Sequence, residues 1–249
     1  LPPHLPQTAE GVLTFNKAII DATADLAVAY KPNEAFYEPL GAEGIDVLGE
    51  TIDYLHERYP DTLVILDAKR GDIGNTSAQY AKAAFEELGA DAVTTAPYMG
   101  RDSISPFLEY TDRWTVLLAL TSNAGSADFQ HLRLEDGRLL YQAVLETAVS
   151  WASSDQLMFV AGATQATLFD QIREIAPDYF LLVPGVGKQG GSLEEVCRHG
   201  MTEECGLIVN SSRGIIFASH GEDYADAARA KSVALREEME RELERHHVI

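Results

Sequence analysis

The sequence predicts an α/β fold built on a parallel sheet, on three observations. Seven short apolar, β-rich runs alternate with helical patterns along the chain. The segments between runs are long enough for crossovers, so the strands they join are parallel and right-handed. The residues best suited to chemistry stand just past the ends of those runs, where α/β proteins build their sites.

The runs lie at 26–30, 63–66, 92–95, 115–120, 158–161, 179–183 and 207–209. Helical patterns fall at about 13–25, 43–58, 76–88, 102–110, 139–152, 165–175 and 192–199, and a long charged helix occupies 221–246. The segment after Asp72 illustrates the reading. Asn75 or Thr76 is expected to cap the helix, Ala78, Ala81, Phe85 and Leu88 form its apolar stripe, and Gly89 stops it. Seven strands suit an open doubly wound sheet, whereas a closed (β/α)8 barrel of the TIM type needs eight. The first helical pattern precedes the first strand, and the chain starts without Met. Both features fit the barrel, with its first strand upstream of Leu1, and the expectation is one barrel domain over 1–249.

Composition narrows the class. The 249 residues, 46% of them hydrophobic, suffice for one large core. No apolar stretch reaches the 18 or more residues a transmembrane helix requires, so no membrane partner is expected. The opening Leu-Pro-Pro-His-Leu-Pro has neither a basic nor an apolar segment of the signal-peptide kind. Cys197 and Cys205 form no CxxC motif, which fits a reducing cytoplasm. A formal charge of −20 argues against nucleic acid as a partner but leaves room for a small anion, which responds to the local field.

Residues 63–73 read Leu-Val-Ile-Leu-Asp-Ala-Lys-Arg-Gly-Asp-Ile. A strand alternates its faces with period 2, so Asp67 and Lys69 are expected to point the same way from its carboxyl end. Asp72 follows on the loop. Two carboxylates around one ammonium make a natural charged site, and the plainer alternative is a surface salt-bridge cluster.

A second signal comes late in the chain. Pro-Gly-Val-Gly-Lys-Gln-Gly-Gly at 184–191 follows one strand run, and Asn-Ser-Ser-Arg-Gly at 210–214 follows the next. In a barrel these are the loops after the last two strands, the usual place for a phosphate. Glycines let backbone N–H groups approach an anion, and Arg213 offers a planar, permanently charged fork. Tight turns with an exposed Arg remain the alternative. Lys31 closes the 26–30 run and is either a snorkelling lysine or a third charge at the same mouth. Thr121-Ser122-Asn123 and Ala96 to Asp102 read as polar turns on their own.

Taken together, these residues resemble one family, orotidine 5′-monophosphate decarboxylase, over nearly the whole chain. The resemblance rests on Lys31 after the family's second strand, Asp67-Ala-Lys69-Arg-Gly-Asp72-Ile73 after the third and Thr121-Ser122-Asn123 after the fifth. Pro184 to Gly191 after the seventh and Ser212-Arg213-Gly214 after the eighth complete it. The Arg-Gly filling and Pro-Tyr-Met-Gly-Arg-Asp-Ser at 97–103 are similar to the bacterial type 2 subgroup. The aspartate that ends the family's first strand has no counterpart here.

The resemblance implies conversion of orotidine 5′-monophosphate to UMP, the last step of de novo pyrimidine synthesis, with no metal or organic cofactor. It implies that Lys31, Asp67, Lys69 and Asp72 form an alternating charge chain. Lys69 would be held protonated and would deliver a proton to C6, with Asp67 near the departing carboxylate. Asp72, Ile73 and Thr76 would cross a homodimer interface into the partner's site. Ser122 would bind the pyrimidine, Pro184 and Val186 its apolar side, and Gln189, Arg213 and the Gly214 amide the phosphate. Two other readings share parts of this pattern. One is a Mg²⁺-dependent sugar-phosphate enzyme of the same barrel superfamily, such as a hexulose-phosphate synthase or ketogulonate-phosphate decarboxylase. The other is a non-catalytic nucleotide binder, which would keep the phosphate residues and lose the charge chain.

Overall fold

The computed structural model describes residues 1–187 and 190–249. By its contacts the chain forms two compact units. The first comprises Leu1–Ala68, Gln79–Thr94 and Ser212–Glu237, and the second Lys69–Ala78, Thr95–Ser211 and Glu238–Ile249.

In the first unit α1 (Ala9–Thr23) starts four residues earlier than its apolar period suggests, because the Thr8 hydroxyl accepts the Gly11 N–H at 3.4 Å. Strand β1 (Ala29–Tyr30) is shorter than the expected run. Leu26 donates its N–H to Thr23 O in the turn that leaves α1, and Val28 is 76% exposed, so the apolar residues at 26–28 are not strand. After α2 (Ala42–Arg58), β2 (Leu63–Arg70) pairs parallel to β1, with Tyr30 opposite Val64. It runs four residues beyond the apolar core of Leu63 to Leu66, through the charged residues. Strand β3 (Ala92–Thr95) falls where the sequence places it, and all four residues are buried. A small cluster of Phe15, Ile19, Tyr224 and Ala228 packs α1 against the first turns of the long C-terminal helix, with the Phe15 and Tyr224 rings 5.2 Å apart.

Helix α3 (Gly74–Lys82) corrects the expected cap. Thr76 and Ser77 donate their N–H groups to Ile73 O at 2.9 and 3.0 Å, so Asn75 and Thr76 lie inside the helix. It continues as a π turn, in which Leu88 N–H reaches back five residues to Ala83 O at 3.0 Å. Ala81 and Phe85 of the stripe are buried, and Gly89 ends the helix in the left-handed region.

The second unit contains α4 (Arg101–Leu108), β4 (Trp114–Leu120), α5 (Leu140–Ala148), β5 (Leu157–Ala161), α6 (Phe169–Ile175), β6 (Leu181–Pro184), α7 (Leu193–Gly200) and β7 (Leu207–Asn210). The four strands form a parallel ladder, with Thr115 opposite Leu157, Phe159 opposite Leu181 and Leu181 opposite Leu207. Every residue of β5 is buried, as a strand covered on both faces must be. Two further helices, α8 (Arg213–Ile216) and α9 (Tyr224–Arg245), complete the chain. Within each unit the strands lie in chain order, β1–β2–β3 and β4–β5–β6–β7. A barrel requires that order, whereas a doubly wound sheet reverses it at a switch point. No helix among the described residues is long and apolar enough to cross a membrane.

Arg173 on α6 fastens the ends of the second unit's elements. Its guanidinium donates to five backbone carbonyls, those of Gly200 (2.7 Å), Tyr179 (2.6 Å), Gly206 (2.8 Å), Ala176 (3.3 Å) and Pro177 (3.4 Å). Burial pulls its pKa down to about 10, which still leaves it charged at neutral pH. A lysine has one nitrogen for the same carbonyls. Arg173→Lys is expected to lower unfolding free energy by about 2–4 kcal/mol in urea titrations, since several buried acceptors lose their charged donor. A loss below about 1 kcal/mol would show that water replaces the guanidinium without penalty.

Candidate active site

The charged end of β2 is built by register. Tyr30 lies opposite Val64, so the chain just after β1 runs beside the last buried turn of β2. Asp67 N–H donates to Pro32 O at 2.9 Å, and Asn33 bridges to Asp67, which extends the pairing past β1. This brings Lys31 Nζ to 2.6 Å from Asp67 Oδ2, both side chains being nearly covered. The other carboxylate oxygen, Oδ1, accepts the hydroxyl of Thr94 on β3 at 3.0 Å. A carboxylate that is only 8% exposed thus has a charged donor on one oxygen and a neutral donor on the other. The sequence points to Lys31 and Asp67 but not to Thr94, which reads as one more β-branched strand residue.

Lys69 is exposed and stands at φ +50°, a conformation rare for a non-glycine residue. Face alternation holds only for extended backbone, so the period-2 expectation stops short of this residue. Departures of this kind cost about 1–3 kcal/mol and concentrate at functional sites. Asp72 is half-buried at the turn into α3. Its N–H donates to Ser77 Oγ at 3.0 Å, and its Oδ1 accepts the Ile73 N–H at 2.6 Å. Ser77, fully buried, also lies within donating distance of Asp72 O (2.9 Å) and Ser103 O (2.8 Å). The turn is therefore held from beneath, while Ile73 is left 54% exposed and Thr76 sits in the first turn of α3.

The Thr121-Ser122-Asn123 turn after β4 is organised by Gln130, a residue that no motif in the sequence marks. Gln130 Oε1 accepts the Thr121 N–H at 2.8 Å, and Gln130 Nε2 donates to Thr121 Oγ1 at 2.9 Å. Ser122 Oγ donates to Pro184 O at 3.3 Å, bringing the ends of β4 and β6 together. Gly162 makes room for this: a Cβ there would lie 2.3 Å from Ser122 Oγ. Beyond Pro184 the chain turns through Gly185, Gly187 and Gly190, each with φ between 79° and 100°. Val186 bridges to Gly191, and Gly191 N–H donates to Gly185 O at 3.3 Å, so the loop is closed at its base. Gln189 lies outside the described residues.

Arg213 and Gly214 open α8, a single turn too short to show a helical period in the sequence. Ile215 and Ile216 donate to Ser212 O at 3.0 and 2.9 Å, and Arg213 is exposed. Within its own unit, each set is chemically coherent. One holds a buried ion pair and an exposed guanidinium, and the other an exposed lysine, a polar turn and a glycine loop.

Comparison with known proteins places the chain in one family. The family model described as orotidine 5′-phosphate decarboxylase / HUMPS matches residues 12–229. An orotidine 5′-phosphate decarboxylase of Bacteroides fragilis is 55% identical over 98% of this chain and 89% of its own length. Among solved structures, Leishmania donovani OMP decarboxylase superposes with a TM-score of 0.81 at 39% identity, over 94% of this chain and 91% of that one. Leishmania donovani UMP synthase gives 0.83 at 41% identity over 95% of this chain, which spans about half (52%) of that longer protein. The fold is accordingly a TIM-type α/β barrel, and the chain belongs to the orotidine 5′-phosphate decarboxylase / HUMPS family.

Proposed function

We propose that this chain, acting as one catalytic domain, decarboxylates orotidine 5′-monophosphate to UMP in pyrimidine synthesis. The observation that carries the reading is the 55% identity to a known decarboxylase over nearly the whole chain. The buried Lys31–Asp67 pair supports it from the chemistry. The sugar-phosphate alternative is not favoured, because the Bacteroides fragilis relative, 55% identical over nearly the whole chain, is an orotidine 5′-phosphate decarboxylase.

Loss of CO2 from C6 breaks the ring–carboxylate bond and leaves its electron pair on C6, where the ring offers little delocalisation. A preorganised field must therefore lower the barrier. The Lys69 ammonium supplies that field, stabilising the developing carbanion and then protonating it. Asp67, fixed by Lys31, holds the field next to the departing carboxylate, and Asp72 supplies the second negative charge. Ser122, Pro184 and Val186 take the pyrimidine. Gln189, Arg213 and the Gly214 amide take the phosphate, whose binding energy closes the glycine loop over the ring. No metal or organic cofactor enters these steps.

The active unit is read as a two-fold homodimer in which Asp72, Ile73 and Thr76 reach the partner's site. The 54% exposure of Ile73, beside the Asp72 turn, supports that surface. A cytoplasmic location is supported by two free cysteines, Cys197 and Cys205.

Three outcomes check the reading. In the presence of EDTA the wild-type protein should consume orotidine monophosphate, while Lys69→Ala loses turnover by about a thousandfold or more and still binds UMP. Retention of a tenth of wild-type turnover would remove Lys69 as proton donor. Arg213→Ala should raise KM strongly for the nucleotide and leave the reaction of a phosphate-free analogue unchanged. Equal losses for both would place Arg213 outside the phosphate site. Finally, inactive Lys69→Ala and Asp72→Ala proteins, mixed and allowed to exchange subunits, should recover about a quarter of wild-type site activity, because half the dimers carry one intact site. No recovery after confirmed exchange would put Asp72 in its own chain's site.

A further inference from the structure

We propose that Thr94 is a positioning residue for the decarboxylation, acting through Asp67. The inference rests on the function proposed above and extends it to a residue outside the charged motif. The ion pair and the Thr94 hydroxyl engage different oxygens of the Asp67 carboxylate. Lys31 engages one oxygen, at 2.6 Å, and the terminal torsion of an aspartate is intrinsically soft, so each further donor narrows the orientation of the carboxylate plane. Thr94 Oγ1 donates to the other oxygen at 3.0 Å from a β-branched side chain that is 1% exposed. Branching at Cβ restricts χ1, and burial in β3 restricts it further. The hydroxyl therefore holds the second oxygen from a rigid point and helps set the direction in which Asp67 presents its charge.

The neighbouring residue supplies a comparison within the same strand. Thr95 is also fully buried, yet its hydroxyl has no hydrogen-bond partner among the described residues. Ala92 and Val93, the other residues of β3, are apolar and equally buried. The strand thus needs shape at these positions. At 94 the hydroxyl has an anionic acceptor as well.

The test compares Thr94→Val, Thr94→Ser and Thr95→Val in the full-length protein, reading kcat, KM for orotidine monophosphate, UMP affinity and thermal unfolding. Valine keeps the shape of threonine and removes the donor. Thr94→Val is expected to lower kcat about tenfold to a hundredfold, the cost of losing a hydrogen bond to a charged group whose orientation matters. KM and UMP affinity should stay within about threefold, because Thr94 acts on Asp67 rather than on the nucleotide. Thr94→Ser, which restores the hydroxyl, should return kcat to within about threefold of wild type, and Thr95→Val should leave kcat unchanged. Wild-type kcat in Thr94→Val, or equal losses in Thr94→Val and Thr95→Val, would overturn the assignment and leave the function standing. A fall in kcat accompanied by a matching loss of thermal stability in Thr94→Val, without rescue by Ser, would reduce Thr94 to a packing residue. A wild-type protein that does not decarboxylate orotidine monophosphate would overturn the function, and this assignment with it.

Discussion

The ion pair between Lys31 and Asp67 is the constraint around which the first unit's sheet is arranged. Asp67 directly continues three buried residues of β2 and is itself 8% exposed, so its charge is held where water cannot solvate it well. Leaving such a carboxylate unpaired would cost several kcal/mol. The pairing of β1 with β2, the Pro32 carbonyl on the Asp67 amide and the Thr94 hydroxyl all serve to place donors around that one group. Pairs of this kind rarely stabilise a fold relative to apolar residues of the same volume. A buried ion pair at the carboxyl end of a barrel strand is better explained by chemistry than by stability.

The same division runs through the second unit. Arg173 lies at the opposite ends of the strands from the candidate site, binding the carbonyls that precede β6 and β7, and its role is to hold elements together. The Ser122 turn, the Gly162 contact and the Val186–Gly191 bridge lie past the ends of β4, β5 and β6, where they position polar groups. The left-handed Lys69 belongs to this second kind of feature. Its conformation costs energy locally and redirects the chain at the charged end of its strand.

Much of this follows from local sequence. Six of the seven strand runs fall close to their observed positions, because each is short, apolar and bounded by turn residues. The exception, 26–30, is apolar but begins in the turn leaving α1, and hydrophobicity alone does not separate a buried strand from an exposed Val28. Asn75 and Thr76 are good capping residues in isolation, yet Ile73 O takes the first helical bonds and draws both into α3. Lys31 and Asp67 stand out in the sequence because charge is visible residue by residue, and the structure pairs them. Thr94, Gln130 and Gly162 are invisible for the opposite reason: each matters only through another residue that local pattern does not tie to it, Asp67, Thr121 and Ser122 respectively.

If the Lys31–Asp67 pair exists for the reaction and not for the fold, removing both charges together should separate the two properties. The variant Lys31→Met/Asp67→Asn does so while keeping an acceptor for Thr94. Urea unfolding and orotidine monophosphate turnover should be measured on the same preparation. The expected result is stability within about 1 kcal/mol of wild type, or higher, with turnover lost by about a thousandfold or more. A double variant that loses several kcal/mol of stability, or that keeps substantial turnover, would contradict that role for the pair.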